Sequence, residues 1–375
     1  MKIALFSPFS SQNYGTVLQA FALSRVITNW GVECEYIQWR HCKPSTRERM
    51  FFLLKHPTYF YLHNQNKQHN KEDLRYSFLK ESEYADILKK NKEFVEKYTP
   101  VNKKLYTYDE LSSIEKLYDK VIVGSDQTWS PDHLYQFSPY YLPFIRDQKK
   151  KYSYACSMGR TTLPPSFVTF LRSRLKSFNL LSCREKENAD LLSSVLGKRV
   201  NHVVDPTLLL DANSWKEYMR EVKNMPEKYI LCYILGEKKI ISDYAEYLGK
   251  QRDLPVYYIL TRPSHSHHKN VLNGVGVQEF LWLIRNSQYL VTDSFHGTIF
   301  AMNLGTEMIS FDKFEGDMYD NGRIENILTY YGIQSHYMKS YEERIPDPID
   351  FTHVHIALEK TRAESMSFLN RIIEA

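Results

Sequence analysis

Lys2-Ile3-Ala4-Leu5-Phe6 is followed by a polar loop from Ser7 to Gly15. Val17, Leu18, Ala20, Phe21, Ala22, Val26 and Ile27 come next at helical spacing, then Gly31 and the run Val32-Glu33-Cys34-Glu35-Tyr36-Ile37. This opening decides the fold. The first pentapeptide is continuously apolar rather than alternating, as a parallel strand buried on both faces must be. The 3.6-residue period predicts a helix, Gly31 ends it, and the second run predicts another strand. Strand, helix, strand in that order points to a parallel sheet with helices on its faces.

The alternation resumes downstream. Tyr118 to Val123 reads as a strand that meets Gly124-Ser125-Asp126-Gln127, and Tyr152 to Cys156 as one that meets Ser157-Met158-Gly159. Phe178 to Ser182 leads into Arg184-Glu185-Lys186 and a helix through Leu191, Leu192 and Leu196. His202-Val203-Val204 stops at Asp205-Pro206, where proline imposes a turn. A second unit opens at Tyr229 to Gly236 and continues as helix 240–250, strand 256–260, helix 277–286 and strands 288–292 and 307–311. The stretch 213–228 is polar and contains Pro226, so the domains are expected at 1–212 and 213–375. The fold class is therefore α/β, with two Rossmann-like domains facing across a cleft and ligands bound beyond the carboxyl ends of the strands. The tail 350–375 reads as a helix expected to pack back on the first domain.

At 375 residues, 43% hydrophobic and 25% charged, the composition is that of a globular chain of two-domain size. It excludes disordered, collagen-like and solenoid classes. No run approaches the ~18 apolar residues of a membrane span, and the apolar stretch at the amino terminus is too short for a signal peptide. A cytoplasmic location, at the inner face of the cell membrane, is the expectation. Cys34, Cys42, Cys156, Cys183 and Cys232 form no C-x-x-C, so reduced thiols are expected rather than a zinc site or disulfide framework. Ser264-His265-Ser266-His267-His268 has no carboxylate at ligand spacing and reads as a solvated loop; no metal is expected. No G-x-G-x-x-G follows the first strand, which argues against a dinucleotide oxidoreductase.

The net charge of +5 is unevenly placed: residues 40–104 hold fifteen Lys/Arg against eight Asp/Glu. The same segment carries Met50-Phe51-Phe52-Leu53-Leu54 and Tyr59-Phe60-Tyr61-Leu62. Basic groups interleaved with aromatics suit an anionic membrane surface, and nucleic acid uses the same residue types. A helical insertion with its aromatics turned inward accounts for them as well. Peripheral membrane contact through about 40–104 is expected, and no nucleic acid partner.

Four loops at strand ends carry the unusual polar residues. In Thr292-Asp293-Ser294-Phe295-His296-Gly297-Thr298, a strand turns into an apolar helix whose start exposes N–H groups and the positive dipole end. Gly297 lets an anion approach, Ser294 and Thr298 add hydroxyls, and His296 adds a proton donor: together an anion cradle. Arg184, also at a strand end, presents a planar guanidinium for a carboxylate or phosphate in bidentate fashion, with a helix-capping Arg184–Glu185 pair as the plainer reading. Ser10 to Thr16 lies at the mouth of the first strand. Asp126 with Trp129 suits a sugar, because a carboxylate accepts hydroxyl protons and indole covers pyranose C–H faces; a turn-forming aspartate is the plainer reading.

These residues carry a resemblance. Asn13-Tyr14-Gly15-Thr16-Val17-Leu18-Gln19, Gly124 to Trp129, Tyr154 to Gly159, Ser182 to Lys186, Asp205-Pro206-Thr207-Leu208-Leu209-Leu210 and Thr292 to Thr298 resemble, in order, the motifs of the polysaccharide pyruvyl transferase family. The resemblance implies a glycosyltransferase-B-like fold, phosphoenolpyruvate as co-substrate with no cofactor, and a sugar hydroxyl pair as acceptor; the basic, aromatic segment adds the expectation that this sugar sits on a lipid-linked oligosaccharide. It places the donor-binding arginine and histidine at Arg184 and His296, with Arg323 in Asn321-Gly322-Arg323-Ile324 joining them. Phosphoenolpyruvate is then bound by Arg184, Ser294, His296, Gly297, Thr298 and Arg323, and the acceptor sugar by Asn13, Tyr14, Gln19, Asp126 and Trp129. Asp126 and Asp293 are the candidate bases, and His296 assists phosphate departure. Two rival readings remain: a nucleotide-sugar glycosyltransferase of the same architecture, with Glu279 or Glu315 on the ribose, and a non-catalytic glycan-binding protein.

Overall fold

The computed structural model describes residues 1–10, 13–40, 50, 81–131, 138–159, 163, 165–236, 239–259, 268–312 and 322–375. Strand β1 (Lys2–Phe6) lies at the centre of its sheet, paired in parallel with β2 (Glu33–Trp39) on one side and β4 (Lys120–Val123) on the other. With β3 (Val101–Tyr106) and β5 (Lys151–Ser153) the order is β3-β2-β1-β4-β5. A parallel pair, β6 (Leu181–Cys183) and β7 (Val200–His202), continues from β5 through bridges at Tyr152–Leu180 and Cys156–Cys183.

The second sheet repeats the plan. Strands β8 (Ile230–Tyr233), β9 (Val256–Ile259), β10 (Val271–Leu272), β11 (Tyr289–Thr292), β12 (Glu307–Phe311) and β13 (Tyr337–Met338) stand in the order β10-β9-β8-β11-β12-β13, all neighbours parallel. Each sheet grows first to one side of its opening strand and then to the other. The reversal falls between β1 and β4 in one domain and between β8 and β11 in the other. In open α/β sheets this crevice is where ligands bind, and the polar motifs follow these same strands.

The first helix (Tyr14–Asn29) is buried around most of its circumference, which only a helix packed on both sides can be. It touches β2 of its own sheet and, on the other side, the helices Val277–Asn286 and Phe295–Leu304 of the second domain. Phe295–Leu304 is itself buried along its whole length. Between them Phe21 meets Trp215 at 5.7 Å, and Trp215 meets Phe300 at 5.2 Å. Tyr14 stacks on Phe280 at 4.4 Å and donates its hydroxyl to Val275 O at 2.8 Å. One apolar core thus runs through both halves, and an interface of that kind holds two domains in register. The C-terminal helix (Phe351–Glu374) lies against the first domain, where Lys120 Nζ donates to Ile372 O at 2.7 Å and Arg362 Nε to Leu208 O at 2.7 Å.

The described end of the basic segment turns its apolar residues inward, while the runs behind the membrane-facing reading lie outside the described residues. In the helix Glu81–Tyr98, Ile87, Phe94 and Val95 are buried. Phe94 packs on Phe21 at 5.2 Å and on Tyr98 at 4.9 Å. The same helix braces the second domain: Lys90 Nζ reaches Glu279 Oε1 at 3.0 Å and Gly274 O at 2.8 Å, and Asn91 Oδ1 accepts from Val277 N at 3.1 Å. Residues 51–54 and 59–62 lie outside the described residues, as do Cys42 and 264–267. Cys34, Cys156, Cys183 and Cys232 are buried free thiols. Among the described residues no helix is long and apolar enough to cross a membrane.

Because Phe94 fills an interior position, Phe94→Ala is expected to destabilise the chain by about 3–5 kcal/mol in urea unfolding. A change below about 0.5 kcal/mol, typical of exposed sites, would restore the outward-facing reading for this helix.

Candidate active site

Arg184 leaves the end of β6, Asp205 the end of β7, and His296 the first turn of the helix that follows β11. The interface brings the three together. Asp205 is 1% exposed. Its Oδ1 accepts from Thr207 N at 3.0 Å and Thr207 Oγ1 at 2.8 Å, which fixes the carboxylate plane. Its Oδ2 takes Arg184 Nη1 at 2.7 Å and faces His296 Nε2 at 3.6 Å. Arg184 Nε turns to Glu185 Oε1 at 3.2 Å, and Glu185 accepts from Ser157 Oγ at 2.7 Å.

Arg184 and His296 are 3% and 8% exposed, yet Arg184 Nη2 and His296 Nε2 have no hydrogen-bond partner. A buried polar nitrogen left unpaired costs about 1–3 kcal/mol and calls for an explanation. Both belong to cationic or protonatable groups, so the complementary occupant is an anion. Burial by itself raises the Asp205 pKa. The close approach and charge of His296, followed by the charge of Arg184, outweigh it and hold the carboxyl well below the usual range. For Arg184, burial lowers the pKa but Glu185, Asp205 and Asp126 outweigh it, so the guanidinium stays charged.

Local sequence explains the placement. Ser294 caps the helix by accepting from Gly297 N at 3.1 Å. Phe295 puts its ring under Arg184, Cζ 4.3 Å from the centroid, and toward Arg323 at 5.7 Å. Its π face attracts both guanidinium groups and so brings Arg323 to the site. The imidazole of His296 lies against the backbone of Gly15 so closely that a Cβ there would overlap the ring. Gly124 has φ +121°, and a Cβ on it would overlap Tyr154 O, so β4 and β5 end side by side only with glycine here. Asp126, half-buried, accepts from Thr16 Oγ1 at 2.9 Å.

Several sequence expectations change. Arg184 offers no bidentate fork, because protein carboxylates already hold Nε and Nη1; Nη2 is the nitrogen left over. The plainer Arg184–Glu185 pair is present as well. Thr298 turns its hydroxyl inward, to Ser294 O at 3.0 Å and Ser310 Oγ at 2.8 Å, and Gly297 gives its N–H to the cap. Asp293 is no free base: its oxygens accept from Leu235 N and Gly236 N at 2.6 Å each, which shapes the turn after β8.

The acceptor set changes too. Trp129 is 0% exposed with Nε1 donating to Tyr140 O at 3.2 Å, so its indole belongs to the core and presents no face to a sugar. Tyr14 bolts the interface. Gln19 is fully buried and ties Ser7 Oγ at 2.9 Å and Pro8 O at 2.7 Å to Ser125 N at 3.2 Å. Asn13 caps the first helix, accepting from Gly15 N at 3.0 Å. Glu279 is held by Lys90 and Arg220 and caps its own helix through Gly276 N, away from a ribose role; Glu315 and Asn321 lie outside the described residues.

Asp205 and Phe295 were given no role from sequence. The signal for Asp205 is its position directly after a strand and before proline, but its partners are 21 and 91 positions away in the chain, and no spacing encodes that.

A carboxyl with a depressed folded pKa contributes stability above its unfolded pKa of about 3.9, and that stability is lost as pH falls through the folded value. Asp205→Asn should therefore cost about 3 kcal/mol near neutral pH, by leaving Arg184 and His296 short of a counter-charge. The gap to wild type in urea unfolding should narrow as pH drops below about 4. A constant gap would place the effect elsewhere.

Among solved structures, UDP-GlcNAc 2-epimerase from Methanocaldococcus jannaschii matches with TM-score 0.50 at 12% identity, over 96% of this chain and 92% of that one. The Streptomyces sp. SF2575 glycosyltransferase SsfS6 follows at 0.40 and 13%, over 100% of both chains. E. coli heptosyltransferase WaaC with ADP is at 0.38 and 10%, over 96% of this chain and 100% of that one. At such identities the likeness is one of fold, the glycosyltransferase-B arrangement of two Rossmann-like domains. No curated protein matches the sequence. The profile of the polysaccharide pyruvyl transferases matches residues 13–312, a span that holds Arg184, Asp205 and His296 and most of the chain, and the protein belongs to that family.

Proposed function

We propose that this protein transfers pyruvate from phosphoenolpyruvate to a pair of hydroxyls on one sugar, closing a cyclic ketal and releasing inorganic phosphate. The observation that carries the reading is the pair of buried, unfilled nitrogens, Arg184 Nη2 and His296 Nε2, held from opposite domains around Asp205. A small donor bearing both a carboxylate and a phosphate needs cationic contacts from more than one direction, and Arg323 across the Phe295 ring adds a further one. The acceptor we take to be a lipid-linked glycan of a bacterial capsule, exopolysaccharide or cell wall.

The reaction balances as follows. A proton goes to the enol methylene carbon while one sugar hydroxyl bonds to the adjacent carbon and releases its own proton. The bond from that carbon to the phosphate oxygen then breaks, the phosphate keeping the electron pair, and the second hydroxyl bonds there and releases its proton. Arg184 and Arg323 neutralise the donor anions, and His296 supplies a proton as phosphate departs. Asp126, fixed by the Thr16 hydroxyl and partly open, is the base for a sugar hydroxyl. A nucleotide-sugar reading loses its ribose carboxylate at Glu279, which the interface already uses.

Incubation with phosphoenolpyruvate and a panel of lipid-linked or nitrophenyl hexosides should release phosphate in step with the ketal mass gain of the glycan. Arg184→Ala and His296→Ala should each lower that rate on the order of a hundredfold or more, with thermal melting run alongside to exclude unfolding. Folded variants within a few-fold of wild type would remove both assignments. Gly15→Ala should push the imidazole aside and cost tenfold or more in kcat/KM, since displacement of about 1 Å can cost a hundredfold.

A further inference from the structure

We infer that Asp205 is the positioning residue of this site: one carboxylate that aims Arg184 of the first domain and His296 of the second at a common anion, and that serves as counter-ion to the imidazolium. The inference rests on the functional reading above for the acid role of His296, but its geometry stands apart from it. A single oxygen, Oδ2, meets both cationic side chains, at 2.7 Å and 3.6 Å, while Oδ1 is locked by two donors from Thr207. With Nη1 and Nε both on carboxylates, the guanidinium cannot rotate, and Nη2 is directed by default.

On the other side, the imidazole is pressed between the Gly15 backbone and this carboxylate. The residue is a poor choice for stability alone. A buried ion pair rarely outperforms an apolar replacement, and the turn at Pro206 needs only the Oδ1 contacts. What Oδ2 adds is the alignment of two groups that the chain delivers from separate sheets.

Among the described residues, the charged groups around His296 are few. They are Asp205 itself, Arg184 and Glu185 beyond it, Asp126 from the turn after β4, which acts on Arg184, and Arg323 across Phe295. Asp205 is the carboxylate that directly faces the ring. Neutralising it removes the opposite charge beside the ring and the contact that orients it.

The test records the His296 ring signals by NMR at fixed pH on the full chain without substrate, in wild type and Asp205→Asn. The expected result is displaced ring signals and weakened contacts from the ring to Gly15 in the variant. In kinetics with phosphoenolpyruvate, kcat/KM should fall tenfold or more. Unchanged ring signals overturn the inference whatever the activity. Displaced signals in a protein whose wild type transfers no pyruvate would instead remove the functional reading and leave Asp205 as the positioning residue. Should Asp205→Asn fail to fold, Asp205→Glu carries the test, since it keeps the charge but shifts the oxygen. Displaced ring signals with loss of rate of tenfold or more support the role, and a wild-type rate overturns it.

Discussion

The buried pair between Arg184 and Asp205 is the constraint on which the site depends. Two charges withdrawn from water are tolerated only when geometry and further hydrogen bonds compensate, and here they do: Thr207 holds one carboxylate oxygen, Glu185 and Ser157 hold the far side of the guanidinium. The compensation stops short at two atoms, Arg184 Nη2 and His296 Nε2. Both nitrogens belong to cationic or protonatable side chains around one carboxylate, and that shared chemistry points to an anion.

The same geometry depends on the packing of the first helix. Its amino terminus supplies Gly15 beneath His296 and Thr16 beside Asp126, while its body is embedded in the core shared by both domains. Tyr14 and Phe21 are thus fasteners that set the height of one domain against the other, while Gln19 ties together the loops of the first domain. The helix Glu81–Tyr98 reinforces this from outside, with Phe94 inserted against Phe21 and Lys90 reaching Glu279. Side chains drawn from two domains can be aligned to a fraction of an ångström only if the interface behaves as a core.

Much of the architecture was legible in the chain. The strands Lys2–Phe6 and Glu307–Phe311 and the helix Val277–Asn286 fall where apolar periodicity puts them, because local pattern decides which backbone can bury which face. The ends of short strands such as β5 and β7 shifted by one to three residues, since they are set by bridges to neighbours distant in sequence. Strand order is absent from any local pattern, and it is the order that puts the β4 and β11 turns on one crevice.

By itself, then, the sequence determined the α/β class and the two-domain plan, which depend on local periodicity, and it singled out Arg184 and His296 as candidates within short motifs. Only the tertiary structure decided that Trp129 and Tyr14 belong to the core, that Asp293 serves a turn, and that Asp205 joins the two cationic side chains. Burial and ion pairing are properties of neighbours in space. The chain brings those neighbours from positions far apart, so no spacing along it records them.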